Sequence, residues 1–141
     1  MNLHHVLVCC PPGGEDAARA FYAGALGMVE VDKPPVLAAR GGAWFRSADG
    51  TAEVHVGVEA DFRPARKAHP AFVVGPEVGG PEGVEGVEGG ASVDGIDAVA
   101  ARLVAAGFPV EWDGLFPGYR RFYTADGNGN RVEILSPRAP S

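Results

Sequence analysis

Apolar and polar positions alternate along residues 3–10, which predicts a strand with His5, Leu7 and Cys9 on one face and His4, Val6, Val8 and Cys10 on the other. Pro11-Pro12-Gly13-Gly14 breaks that pattern. Over 15–26 the period changes: Ala18, Phe21, Tyr22 and Ala25 fall at i, i+3, i+4 and i+7, the spacing of one buried helical stripe. Acidic residues open this helix, where the helix dipole favours them, and Gly27 closes it. Short strands are predicted near 28–31, 36–40, 44–47 and 52–58, with Ala48-Asp49-Gly50 as a hairpin turn before the last.

The second half repeats this order. Residues 69–74 read as a strand, and Ile96, Val99 and Leu103 mark a helix with Asp94 as its N-cap and Gly107 as its stop. Residues 110–112, 121–124 and 131–135 read as strands, and Ala125-Asp126-Gly127 repeats the earlier turn signal. The offsets between copies are not constant. His5 and His69 lie 64 apart, the stop glycines Gly27 and Gly107 lie 80 apart, and Asp49 and Asp126 lie 77 apart. The second copy therefore carries about 16 extra residues after its first strand. The stretch 75–90, rich in Gly, Glu, Val and Pro, supplies them. It has too little apolar surface to offset its ordering entropy and is expected to be a flexible surface loop.

Length adds that 141 residues make one domain, 1–141, with module one at about 1–62 and module two at about 66–138. No stretch approaches the ~20 apolar residues of a membrane span. No signal peptide is expected, and the adjacent Cys9 and Cys10 make a poor disulfide framework, so a reducing cytoplasm is the default location. A net charge of −6 argues against a nucleic-acid partner.

The chemistry lies at equivalent positions of the two copies. The last strand of module two contains Val132-Glu133-Ile134, and that of module one contains Val54-His55-Val56. Glu53 shares a face with His55 and fits the repeat nearly as well, so it stands as the alternative. His5, His55, His69 and Glu133 then form a four-point set of imidazoles and a carboxylate. That set suits a divalent ion such as Zn, Ni, Co, Mn or Fe(II). His4, on the opposite strand face, reads as a packing or surface residue.

Four pieces of the chain resemble the vicinal oxygen chelate superfamily: His5-Val6, Phe21-Tyr22-Ala23-Gly24-Ala25-Leu26-Gly27 (an FYxxxLG motif), the His69 strand, and Asp126-Gly127-Asn128-Gly129-Asn130-Arg131-Val132-Glu133. This superfamily includes glyoxalase I, fosfomycin-resistance thiol transferases, extradiol dioxygenases, methylmalonyl-CoA epimerase and bleomycin-binding proteins. The resemblance spans nearly the whole chain. It implies an α+β fold of two βαβββ modules forming one cupped mixed sheet around a central site. Metal ligands would come from the first and last strands of each module, in a homodimer whose site in some relatives draws on two chains. Two departures stand out: His55 occupies a position where glyoxalase I usually has Glu or Gln, and Gly127 one where the family often has Pro.

The leading functional expectation is a divalent-metal-dependent, glyoxalase-like lyase or isomerase acting on a small oxygen-chelating substrate. Glu133 would move the proton, and Arg121 or Arg120 would hold an anionic group. The alternatives are a non-enzymatic drug-binding protein of the bleomycin-resistance type, an Fe(II) extradiol-type dioxygenase, and a thiol transferase acting on an epoxide antibiotic.

Overall fold

A computed structural model describes residues 1–75 and 95–138. Module one runs β1 (Val6–Cys10), α1 (Glu15–Ala18), β2 (Val29–Val31), α2 (Pro35–Ala38), β3 (Ala43–Arg46) and β4 (Glu53–Val58). Module two runs β5 (Ala71–Val73), α3 (Ile96–Ala105), β6 (Glu111–Asp113), β7 (Tyr119–Ala125) and β8 (Arg131–Pro137). Each module forms a four-stranded mixed sheet, ordered β1-β4-β3-β2 and β5-β8-β7-β6, with its first and last strands parallel. These are the two βαβββ modules that the resemblance implies. The proposed insertion at 75–90 and the Asp94 cap fall almost wholly outside the described residues.

The predicted helical stripe is the buried one. Phe21 and Tyr22 are fully buried, as are Ala18 and, nearly, Ala25. After Ala18 the helix widens into a π-helical stretch, Arg19–Ala25, in which Leu26 N–H donates to the Phe21 carbonyl five residues back. One core cluster joins Phe21, Tyr22, Phe45 and Val54 of module one with Ile96, Leu103, Phe122 and Ile134 of module two. Burying each such side chain stabilises the fold by about 1.5–3 kcal/mol, so this shared core is a large part of what holds the two modules together.

Two sequence readings require correction. Residues 36–40, expected as a strand, begin in a helical turn, α2. Pro34 and Pro35 open it, because a proline at the first helical position fixes φ near the helical value and gives up an N–H that has no partner there. His4 does not point away from His5. The ladder starts only at Val6, so residues 4 and 5 lie outside the pleat, and the two rings meet edge to face at 5.1 Å.

Family motifs meet in one buried knot. The Tyr22 hydroxyl donates to Asp126 Oδ2 at 3.0 Å, across 104 residues of sequence. Asp126 also accepts the backbone N–H groups of Asn128 and Asn130 and the Asn130 side-chain amide. The Asn130 amide reaches on to the Cys9 carbonyl of β1 and accepts the Ala65 N–H. Burial, with the Asp126 carboxylate alongside, raises the Tyr22 pKa and keeps the phenol protonated. Gly127 suits this knot for a steric reason: a Cβ there would lie 2.5 Å from the Ala17 carbonyl oxygen.

Gly42 sits at φ 82° with the Val56 carbonyl where a Cβ would project, whereas Gly50 sits at φ 77° in open space. Gly50→Ala therefore incurs only left-handed strain, about 1–2 kcal/mol. Gly42→Ala adds a backbone collision and is expected to cost at least about 2 kcal/mol more. Urea unfolding of the pair checks the difference; equal losses would contradict the packing at Gly42.

Candidate active site

The strand register settles which residues are positional counterparts. Leu7 pairs with His55 across β1 and β4, and Ala71 pairs with Glu133 across β5 and β8. Leu7 and Ala71 lie 64 apart, the same offset as His5 and His69, so His55 rather than Glu53 is the counterpart of Glu133. Trp44 pairs with His55 and Tyr123 with Glu133, which places an aromatic beside each.

Each module thus builds the same small assembly. In module two, His69 precedes β5 and its Nε2 lies 3.3 Å from Glu133 Oε1. The other ring nitrogen, Nδ1, donates to the Lys67 carbonyl at 2.7 Å. A carbonyl can only accept, so Nδ1 carries a proton, and an Nε2 without one turns its lone pair toward a carboxylate oxygen. Two acceptors face each other there, and the arrangement calls for a proton or a cation between them. Two ligand atoms each about 2.0–2.2 Å from a tetrahedral metal lie about 3.3–3.5 Å apart, so this spacing fits a ligand pair. Orientation of the ring through a backbone carbonyl is also what a ligating histidine requires. Glu133 is only 4% exposed. Arg121 donates to Glu133 Oε1 at 3.2 Å and to Asp113 at 3.3 Å, and its guanidinium lies over the Phe116 and Tyr123 rings. The Leu115 N–H, followed by Arg121, lowers the Asp113 pKa.

In module one, His5 stacks on His55 at 3.8 Å, and His55 stacks on Trp44 at 3.8 Å with planes 3° apart. His55 Nε2 meets Glu53 Oε2 at 2.7 Å, a direct charge-assisted hydrogen bond and shorter than a ligand pair. Burial lowers the His55 pKa, with Glu53 opposing, while hydrogen bonds from His55 and Arg46 lower that of Glu53. His4 Nδ1 lies 2.9 Å from His5 Nδ1 and 4.0 Å from Glu53 Oε2.

A cavity of about 510 Å³ is lined by His4, His5 and Glu53 from module one together with His69 from module two. A second, of about 500 Å³, includes His5, His55 and Trp44 in its lining. The chain therefore pairs His5 with His55 and His69 with Glu133. Among the described residues, no group of three or more His, Cys, Asp or Glu side chains is arranged to hold a metal ion. Arg120 is engaged elsewhere, bidentate on Asp97 and over the Trp112 ring. Trp44 and Arg46 did not stand out in the sequence. The aromatic at equivalent places of the two copies, Trp44 and Tyr123, was the signal that could have found Trp44.

Comparison with solved structures gives this geometry its family. A Bacillus anthracis protein described as a glyoxalase family member is 38% identical, covering 98% of this chain and 96% of that one, with a TM-score of 0.79. The chain belongs to the glyoxalase family of the vicinal oxygen chelate superfamily. TnmS3, an antibiotic binding protein from Streptomyces sp. CB03234, shares the fold at 20% identity and TM-score 0.63, covering 98% and 99% of the two chains. So does the fosfomycin resistance protein FosX from Listeria monocytogenes, solved as a mutant with Mn(II) and a dihydroxypropylphosphonic acid, at 15% identity and TM-score 0.68, covering 97% and 92%. No family model and no curated protein matches the chain. No helix among the described residues is long and apolar enough to cross a membrane.

Proposed function

We propose that this protein is a divalent-metal-dependent, glyoxalase-like enzyme, a lyase or isomerase acting on a small substrate with neighbouring oxygens. We further propose that it works as a homodimer in which His69 and Glu133 of one copy and His5 of the second copy hold the metal. The observation that carries this reading is the His69–Glu133 pair: an oriented lone pair facing a buried carboxylate at ligand spacing. Two protein donors are too few for a catalytic site of three ligands with an open position, and module one offers His5 as the third. His55, whose Nε2 is committed to Glu53, then supports His5 by stacking.

When bound, the metal supplies Lewis acidity toward the substrate oxygens. The chain's own groups do the rest. Lys67 fixes the His69 ring through its carbonyl. Glu133 accepts the substrate proton. Arg121, held by Asp113 and two aromatic rings, positions the Glu133 carboxylate.

A second reading is a binding protein that sequesters a small molecule, favoured by the roomy cavity beside Trp44 and by the likeness to an antibiotic binding protein. Metal analysis of protein purified without chelator separates the two. The enzyme reading expects about one divalent ion per chain, removable by chelator without unfolding, because the shared core and the Tyr22–Asp126 knot hold the modules together without it. Absence of metal under every loading condition would overturn it in favour of sequestration. Iron together with oxygen uptake on catechols would redirect it to an extradiol dioxygenase.

A further inference from the structure

The cavity beside the module-one imidazoles carries information about the substrate. Its volume of about 500 Å³ falls within the range of small-molecule sites and suits a compound of one or two rings. Leu7, His55 and Trp44 lie side by side across β1, β4 and β3, and Leu7 is left 58% exposed. Beyond them comes Gly57, where no side chain rises from the sheet and the nearest atoms to an added Cβ belong to Leu7, at 3.5–3.8 Å. An exposed leucine beside a ring stack and a bare glycine leaves apolar surface for a flat ligand.

Charge narrows the class. The chain carries a net charge of −6, yet among the described residues no Asp or Glu lines this cavity, and Lys33 and Arg40 both do. They flank α2, the turn whose Leu37 also faces the space. Lys33 donates to the Gly41 carbonyl, which spends one of its three donors and anchors the ammonium at the rim. Two cations beside an apolar wall in an acidic protein complement an anionic group on a flat, apolar body.

From this juxtaposition we infer that the substrate is a planar aromatic carboxylate, its ring on the Leu7–Trp44 surface and its carboxylate at Lys33 and Arg40. The inference deepens the proposed function and rests on the module-one imidazoles belonging to the reaction site.

The test is an NMR titration of Trp112→Phe protein, so that Trp44 supplies the one indole N–H signal. Trp112 packs on Phe122 and Arg120, away from this cavity. Naphthoate is the probe, with naphthamide and decalin carboxylate as the uncharged and non-planar controls, on both chelator-stripped and metal-loaded protein. Naphthoate is expected to shift the Trp44 signal and to bind at least about tenfold tighter than either control. The double substitution Lys33→Ala/Arg40→Ala is expected to remove the preference over naphthamide while leaving naphthamide binding intact. The remaining amide signals report that the variant is folded. Naphthamide binding as well as naphthoate, or naphthoate binding without moving Trp44, would overturn the inference. Selective binding by stripped protein that takes up no metal would uphold the aromatic-acid site while overturning the metal reading. Metal-loaded protein without selectivity would overturn the aromatic-acid site alone.

Discussion

His69→Ala is expected to lower metal affinity by more than about a hundredfold. Removing even a residue that orients a ligand costs about 10–100-fold, and His69 is proposed as the ligand itself. Two features of the site support so large an effect. Its Nδ1 is tied to the Lys67 carbonyl, so Nε2 is already aimed before any ion arrives. Its partner Glu133 is buried, so a lost imidazole leaves a carboxylate with little water to replace it. His5→Ala is expected to match it. His4→Ala is expected to leave the metal bound, because the His4 side chain is 80% exposed and is not one of the three proposed ligands. Equilibrium dialysis against a metal buffer measures all three; retention of full affinity by His69→Ala would contradict the assignment.

Asp126→Ala is expected to be the most destabilising single substitution, by about 3–5 kcal/mol. The carboxylate accepts four hydrogen bonds, from Tyr22, two backbone N–H groups and the Asn130 amide. Truncation strands those donors in a buried place, and each unsatisfied group costs about 1–3 kcal/mol, offset in part by relaxation. Tyr22→Phe removes a single donor and is expected to cost about 1–2 kcal/mol. Because both residues lie in one network, their double substitution should fall short of the sum of the singles. Urea unfolding of the three variants checks this. A loss below about 1 kcal/mol for Asp126→Ala would mean that the knot does not tie the modules.

These two predictions also mark what a reader of the sequence could see. The FYxxxLG and Asp126-to-Glu133 motifs were legible as signatures of a fold. What they do physically was not, because Tyr22 and Asp126 meet only after the modules dock. The stop glycines Gly27 and Gly107 were legible because both adopt positive φ, at 75° and 88°, where other residues are strained. The short turn α2 was not, since it buries no residue and so has no apolar period to betray it.

The site was half legible. Their places at the heads of two matching strands picked out His5 and His69, and strand register then chose His55 over Glu53 as the counterpart of Glu133. No sequence pattern could show that His55 lies between Trp44 and His5 with its Nε2 on Glu53, because stacking and tautomer depend on rings from three elements. Nor could the sequence show that, among the described residues, no three His, Cys, Asp or Glu side chains of one chain are arranged to hold a metal ion.

The central claim is that two copies share each metal site, and coexpression tests it directly. Chains carrying His5→Ala and His69→Ala, with different tags, are purified as the mixed dimer. Each variant alone lacks a ligand in both of its sites. In the mixed dimer the two lesions fall in one site and leave the other whole, so about one metal ion per mixed dimer is expected. A mixed dimer that binds no metal, beside a wild-type protein that does, would place the whole site within a single chain and contradict the account.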